Sequence, residues 1–129
     1  MTREKLPGVN IQYPISQLIL CGKKTVETRT YPLPAKYLNQ EMWIIETPGK
    51  SGNFKSRIVG RVIFKRSHQY RDKLDFYKDK KRHCVTPDSP WAWTDLPKWG
   101  WELELVHVLK IPVPLNQRIG IKFTKFVDI

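Results

Sequence analysis

The sequence predicts an α+β fold in which a small, strongly curved β-barrel of about five or six strands carries two or three helices. The chain has 129 residues, a usual size for one domain, so we expect residues 1–129 to form a single domain. Hydrophobic residues make up 40% of the chain and include five Trp, enough to build a core without disulfides or metals. Short apolar and β-branched runs alternate with prolines and turn residues, a pattern typical of short strands with helices between them.

The first part of the chain predicts a helix followed by two strands. Residues 14–22 begin with Pro14 and end with Gly22, which suit the first turn and the C-terminal cap of a helix, and apolar residues recur between them at helical spacing. Residues 25–30 are rich in β-branched side chains and predict a strand that stops at a proline-rich loop. Residues 42–47 form an apolar run before a glycine-containing turn, which indicates a buried strand.

A third strand is predicted over residues 58–64. Strict alternation places Arg57, Arg61 and Lys65 on one face of this strand. Positions four residues apart on a strand are separated by about 13 Å, a spacing that suits alternate phosphates of an extended nucleic acid. The alternative interpretation is a solvated strand face, because basic residues on an edge strand also discourage edge pairing.

The second half of the chain predicts a further helix and two more strands. Residues 71–82 mix basic and acidic side chains around a few apolar ones, as in an exposed helix. Residues 99–109 alternate between apolar and polar, which predicts a half-buried strand with Trp101 in the core, and the prolines of residues 111–114 are expected to stop it. Residues 120–127 predict the last strand.

The net charge indicates the class of partner. The chain carries 23 Lys and Arg against 12 Asp and Glu, which gives a net charge of +11 and a pI of about 9.8. Such an excess favours polyanions, because cations that bind phosphates release counterions. We expect nucleic acid and no membrane, since a membrane surface usually requires a basic amphipathic helix or a compact polybasic tail, and neither occurs at the termini.

Localisation and cofactors are predicted from what the sequence lacks. No apolar run approaches the roughly 20 residues of a membrane span, and no apolar segment follows the charged N-terminal residues as in a secretory signal. Cys21 and Cys84 are isolated, and neither belongs to a CxxC pair. The sequence therefore predicts a cytoplasmic protein with reduced thiols, no metal site and no cofactor.

Two segments resemble a known family. Residues 13–29, YPISQLILCGKKTVETR, resemble the opening of an ASCH domain, in which a short helix is followed by GxKxxExR. The segment WGWELELV from Trp99, together with the later IPVP and GI, resembles the closing strands of the same family. The resemblance spans most of the chain. It implies a PUA-like β-barrel that binds RNA or another single-stranded nucleic acid, with a nucleotide or modified nucleoside as an alternative ligand.

The candidate nucleic-acid-binding residues are basic, hydrogen-bonding or aromatic. They are Lys23, Lys24, Thr25, Glu27, Arg29, Tyr31, Arg57, Arg61, Lys65, Trp91 and Trp93. The basic residues suit phosphate or bidentate contacts, and Glu27 can accept hydrogen bonds from a base amino group. The aromatic rings suit base stacking.

Strand geometry divides the residues of the motif. Ideal alternation places Thr25, Glu27 and Arg29 on one face and Lys24 on the other. Lys24 therefore joins the site only if the chain turns around Gly22. A purely structural interpretation is that a Glu27–Arg29 or Lys24–Glu27 ion pair closes the barrel.

The resemblance also implies an enzymatic alternative, a small hydrolase with Lys24 and Glu27 as catalytic residues. Some similar proteins are ribonucleases, and others are amidohydrolases that remove the acetyl group of N4-acetylcytidine with a Lys, a nucleophilic Thr and a carboxylate. Lys24 matches the Lys, but Glu27 stands where that Thr is expected, and a carboxylate cannot replace an activated hydroxyl. This difference favours recognition over hydrolysis. A protein-interaction module is a third class that the sequence leaves open.

Overall fold

The computed structural model describes residues 5–115 and 123–128. This part of the chain contains six β-strands, three α-helices and one 3-10 helix. In chain order they are β1 (Lys5–Gln12), α1 (Ile15–Leu20), β2 (Val26–Arg29), the 3-10 helix (Ala35–Tyr37), β3 (Glu41–Thr47), β4 (Arg57–Gln69), α2 (Lys73–Lys78), α3 (Lys80–His83), β5 (Trp99–Pro114) and β6 (Phe123–Asp128). No helix among these residues is long and apolar enough to cross a membrane.

The strands form one mixed sheet in the order β2-β5-β4-β3-β1-β6. β1 and β3 run parallel, and every other neighbouring pair is antiparallel. Within the described residues the outer strands β2 and β6 are not hydrogen-bonded to each other, so the sheet is open. The predicted α+β class and approximate numbers of strands and helices are confirmed, whereas closure into a barrel is not.

The main core lies between the sheet and α1. It contains Ile19 of α1, Ile44 of β3, Val62 and Phe64 of β4 and Trp101 of β5. Trp101 is fully buried, as the alternation in its strand predicts.

β3 is buried on both of its faces. Met42 and Ile44 join the main core, while Trp43 and Ile45 form a second cluster with Ile58 of β4. A strand that is covered on both faces has no polar face to present, which explains why its sequence is a continuous apolar run.

β4 does not alternate strictly. Its pairing with β5 shifts register between Ile58 and Gly60, which marks a β-bulge. Val59 and Val62 both join the main core, although strict alternation would place residues three positions apart on opposite faces. The extra residue changes the face on which the following side chains lie.

The prediction that Arg57, Arg61 and Lys65 share one face is wrong because of this bulge. Arg57 pairs with Glu46, on the side of α1, whereas the Arg61 guanidinium lies 5.4 Å from the ring centre of Trp43 in the second cluster. Each of the three basic groups also contacts a carboxylate of a neighbouring strand. They do not form a phosphate-binding row.

The predicted helix over residues 71–82 is divided into α2 and α3. The break falls at Asp79, whose backbone has φ −94° and ψ 12°. Its carboxylate accepts hydrogen bonds from the Tyr70 hydroxyl and from the Arg82 guanidinium.

β5 also extends farther than predicted, through residues 111–114 to Pro114. In the described residues only β4 pairs with this end of β5. Because no described strand pairs with the other edge of β5 there, the prolines, which lack a backbone N–H, are tolerated.

Two strands lie near the ends of the described chain. β1 has no counterpart in the sequence prediction, because Pro7 and Gly8 interrupt its apolar alternation. The predicted strand over residues 120–127 is confirmed in β6 from Phe123 onward, and residues 120–122 lie outside the described residues.

Glu46 of β3 is fully buried and connects three elements. Its Oε2 accepts hydrogen bonds from Ser16 Oγ at 2.5 Å and Gln17 Nε2 at 2.6 Å, and its Oε1 accepts one from Arg57 Nε at 2.8 Å. Burial alone would raise the pKa of Glu46, but these hydrogen bonds outweigh it and lower the pKa below its ordinary value. The ionised carboxylate therefore stabilises the docking of α1 on the sheet.

We predict that Glu46→Gln lowers stability and removes part of its acid sensitivity. A group with a lowered folded-state pKa contributes stability above its unfolded pKa, and that contribution is lost as the pH falls through the folded pKa, here below 4.5. At pH 7 the variant should lose about 1.5–3 kcal/mol, typical of hydrogen bonds to a charged group. Urea unfolding at pH 7 and at pH 3 measures both effects.

Glu104→Gln is the matched control, because the Glu104 side chain is 61% exposed and pairs with Lys65 at the surface. It should change stability little at either pH. Equal acid sensitivity in the wild type and in Glu46→Gln would contradict the assigned role of Glu46.

Candidate functional site

A cavity of about 380 Å³ opens where the end of β1, the strand β2 and the segment after α3 meet. Its lining combines cations, one carboxylate, hydroxyls, amides and aromatic rings. The lining residues are Asn10, Ile11, Gln12, Ile15, Lys24, Glu27, Thr28, Arg29, Thr30, Tyr31, Thr47, His83, Cys84, Val85, Ser89, Trp91 and Lys98.

Lys24 reaches this cavity because the chain turns before β2. Gly22 adopts φ +82°, the Lys24 N–H donates to the Leu18 carbonyl, and regular strand geometry begins only at Val26. Lys24 is therefore outside the alternation that would place it on the far face. It is 1% exposed, and its Nζ lies 3.6 Å from Oε1 of Glu27. The chain therefore turns around Gly22, which is the condition under which the sequence predicts that Lys24 joins the site.

Glu27 lies between two cations. Its Oε2 is 3.1 Å from Nη2 of Arg29, and its Oε1 faces Lys24. Both ion pairs of the purely structural interpretation are thus present, and they line the cavity. We call Lys24, Glu27 and Arg29 the ion triad.

Arg29 is held by further contacts. Its Nη2 donates to the Asn10 carbonyl at 2.9 Å, and its Nη1 donates to the Tyr31 hydroxyl at 3.1 Å. The guanidinium lies 5.3 Å from the ring centre of Trp101, which also packs edge-on against Tyr31. The Glu27 carboxylate contributes to a raised pKa of Arg29, although burial opposes it, so Arg29 carries its charge. Tyr31 therefore serves first to position Arg29.

His83 fixes the carbonyl group that receives the Lys24 ammonium. Lys24 Nζ donates to the His83 carbonyl at 2.5 Å. The His83 ring is fully buried and stacks on Phe76 at 4.2 Å. Its Nδ1 accepts the Val85 N–H, so its Nε2 carries the proton and donates to the Phe76 carbonyl. Burial lowers the pKa of His83, so the ring is neutral and has a structural role.

The charge of Lys24 is balanced by its surroundings. Burial lowers the pKa of Lys24, and the Glu27 carboxylate opposes that shift. Because Glu27 also neutralises Arg29, the ion triad holds two cations and one carboxylate in a partly dehydrated wall. Such a wall presents both donors and an acceptor to a ligand.

Lys98 and Trp91 also line the cavity. Lys98 is 7% exposed, and its Nζ donates to the Trp91 carbonyl at 2.9 Å. Burial lowers the pKa of Lys98. Trp91 itself is 44% exposed, so its ring is accessible to a ligand.

The structure brings together five of the predicted binding residues and separates the others. Those at the cavity are Lys24, Glu27, Arg29, Tyr31 and Trp91. Lys23 and Thr25 are exposed outside it, and Trp93 packs on Phe76 in a small cluster under α2. Arg57, Arg61 and Lys65 lie elsewhere on the sheet, as described above.

Sequence analysis missed Asn10, His83 and Lys98. Lys98 follows a proline and indicates only a turn, and His83 indicates only the end of a helix. No local pattern marks either as part of the site, because both reach it through contacts across the fold. Among the described residues, no group of three or more His, Cys, Asp or Glu side chains is placed to hold a metal ion.

Comparisons with known proteins identify a fold. No protein-family model and no curated protein matches the sequence. Among solved structures, the chain is similar to ASCH from Zymomonas mobilis, with 19% identity and a TM-score of 0.68 over 92% of this chain and 85% of that chain. A Tyr-to-Phe and a Ser-to-Ala variant of that protein match with the same identity and TM-score, over 88% and 86% of their chains. The chain therefore has the fold of the ASCH domain, as the residues of its GxKxxExR segment predict.

Proposed function

We propose that this protein binds single-stranded nucleic acid, RNA foremost, and holds one nucleotide of it in the cavity between the ion triad and Trp91. The observation that carries the proposal is the combination, in one cavity, of buried cations, a buried carboxylate and an accessible aromatic ring. The cavity volume of about 380 Å³ falls within the range of small-molecule sites and suits a single nucleotide.

The charges favour a polyanion. Lys24 and Arg29 outnumber the one carboxylate of the ion triad, and Lys98 adds another positive charge to the lining. The chain as a whole carries +11. Counterion release then supplies affinity for a phosphate backbone, while the cavity supplies the specific contacts.

The polar groups of the cavity suit the edge of a base. Glu27 can accept hydrogen bonds from a base amino group, and Lys24 and Arg29 can donate to base carbonyl or ring nitrogen atoms. Trp91 is the better stacking partner than Tyr31, because the Tyr31 ring packs against Trp101 and its hydroxyl bonds to Arg29. Recognition of an unstacked base is the usual way in which proteins read single-stranded RNA.

We predict that Trp91→Ala weakens binding of a fluorescein-labelled single-stranded RNA by about 5- to 160-fold, from roughly 1–3 kcal/mol per stacked base. Fluorescence anisotropy at fixed salt measures the affinity. Trp91→Phe should retain most of it, because a stacking ring remains. Leu74→Ala is the matched surface control, since Leu74 is exposed and does not line the cavity. Wild-type affinity in Trp91→Ala, or no binding by the wild type at low salt, would reject the proposal.

Hydrolysis is a second candidate function, favoured by the lowered pKa of Lys24. A lysine whose pKa is lowered by burial loses its proton more readily and can act as a general base, and the hydroxyls of Thr28, Thr47 and Ser89 share its cavity. The bound ligand would then be RNA cleaved at a phosphate or a nucleoside cleaved at an amide.

We predict for this candidate that the rate rises with pH as Lys24 loses its proton, below the ordinary lysine value of 10.5. Labelled RNA on a gel and N4-acetylcytidine followed by mass spectrometry are the two assays. Lys24→Met should abolish the activity, and exposed Lys36→Met should not change it. Cleavage that survives Lys24→Met indicates a contaminant, and no product at high protein concentration excludes hydrolysis of these substrates.

A further inference from the structure

We propose that Lys98 forms a phosphate subsite beside Trp91, so that the cavity selects a phosphorylated nucleotide over a free base or nucleoside. This inference rests on the proposed function and deepens it, because it assigns the phosphate and the base to different residues of the lining. Lys98 belongs to neither the GxKxxExR segment nor the ion triad.

The position of Lys98 is fixed by its backbone. It immediately precedes β5, and its carbonyl accepts the Tyr70 N–H at 2.9 Å. With the residue 7% exposed, its side chain cannot move freely in solvent as surface lysines do. Lys98 thus lines the cavity from the position just before β5.

The charge of Lys98 lacks a counterion in the part of the chain that the structure describes. There, no carboxylate lies within the 4.0 Å ion-pair distance of Nζ. An ammonium has three donors, and the Trp91 carbonyl takes one of them. Lys24 differs, because Glu27 faces it at 3.6 Å. A buried charge without a partner is costly, so an anion that enters the cavity gains most at Lys98.

The ion triad suits a phosphate less well than Lys98 does. The Glu27 carboxylate lies between Lys24 and Arg29 and already occupies their facing donors. It would repel a phosphate brought close to either cation, whereas an uncharged base edge can use both the donors and the acceptor. The charge distribution therefore orients a nucleotide with its base toward the ion triad and its phosphate toward Lys98.

Trp91 lies next to the proposed phosphate subsite. The carbonyl that fixes the Lys98 ammonium belongs to Trp91 itself. The backbone of the proposed stacking residue therefore lies within hydrogen-bond distance of the proposed phosphate subsite. Stacking and phosphate binding then act on the same nucleotide.

The first test compares salt dependence for Lys98→Gln and Trp91→Ala, with a labelled single-stranded RNA trinucleotide and fluorescence anisotropy. Lys98→Gln should weaken binding by about 10- to 100-fold at low salt, as expected for the loss of a charge-assisted hydrogen bond. It should also reduce the slope of log affinity against log salt by about 0.7, the value for one phosphate contact on a single strand. Trp91→Ala should weaken binding with an unchanged slope.

Control variants distinguish the effect of losing the Lys98 charge from an effect on folding. Lys98→Arg should keep the slope because it keeps the charge, and Lys110→Gln should keep it because Lys110 is exposed outside this cavity. Thermal unfolding of each variant checks that it is folded. If Lys98→Gln does not fold, Lys98→Met with the same two measurements replaces it, and the second test below still applies to the wild type.

The second test uses NMR titration of the wild type with a nucleoside and with its 5′- and 3′-monophosphates, up to tens of millimolar. One monophosphate should bind at least about 10-fold tighter than the nucleoside, and Lys98→Gln should lose this preference. An unchanged salt slope in Lys98→Gln, or equal binding of nucleoside and monophosphates by the wild type, overturns the phosphate subsite and leaves RNA binding intact. Failure of the wild type to bind any RNA instead rejects the proposed function.

Discussion

The buried ammonium of Lys24 is the contact on which the rest of the site depends. It joins the segment after α1 to the carbonyl of His83 at the end of α3, across 59 positions of sequence. Two backbone hydrogen bonds accompany it, from the Lys24 N–H to Leu18 and from the Thr25 N–H to Arg82. A lysine this deeply buried requires compensation, and Glu27 with the His83 carbonyl provides it. The entry into β2 is thereby fixed, and with it the positions of Glu27 and Arg29.

The helix α3 is in turn fastened to the sheet by charged groups. Arg82 donates to Asp79 and also, at 2.7 Å, to Glu102 of β5. The neutral His83 ring, stacked on Phe76, prevents rotation of the segment that supplies the carbonyl to Lys24. Asp79, Arg82, Glu102 and Phe76 do not line the cavity, so these contacts can hold one wall of it without occupying space that a ligand needs. Rigid walls reduce the cost of ordering the site when a ligand binds.

The ion triad and Lys98 differ in electrostatic character. At the ion triad the charges are largely satisfied within the protein, so the triad is suited to hydrogen bonding with an uncharged partner. At Lys98 the charge has no counterion within the described residues, so Lys98 is suited to an anion. A nucleotide contains both kinds of group, and the exposed ring of Trp91 can stack its base. This arrangement explains why the cavity wall contains buried cations although it is not a polybasic surface.

The sequence by itself determined the local parts of this protein. The glycine after α1, the short strand that follows and the alternation around Trp101 depend on near neighbours, so the GxKxxExR segment and the core tryptophan were predictable. Only the tertiary structure decided that Lys24 joins the site, that the bulge in β4 separates Arg57 from Arg61, and that His83 and Lys98 reach the cavity. Each of these depends on a partner far away in sequence or on a shift of strand register. The periodicity of a sequence indicates which face of its own strand or helix a residue occupies. Whether a buried side chain lies next to a carbonyl group, or lacks a carboxylate partner, depends on how distant elements pack together.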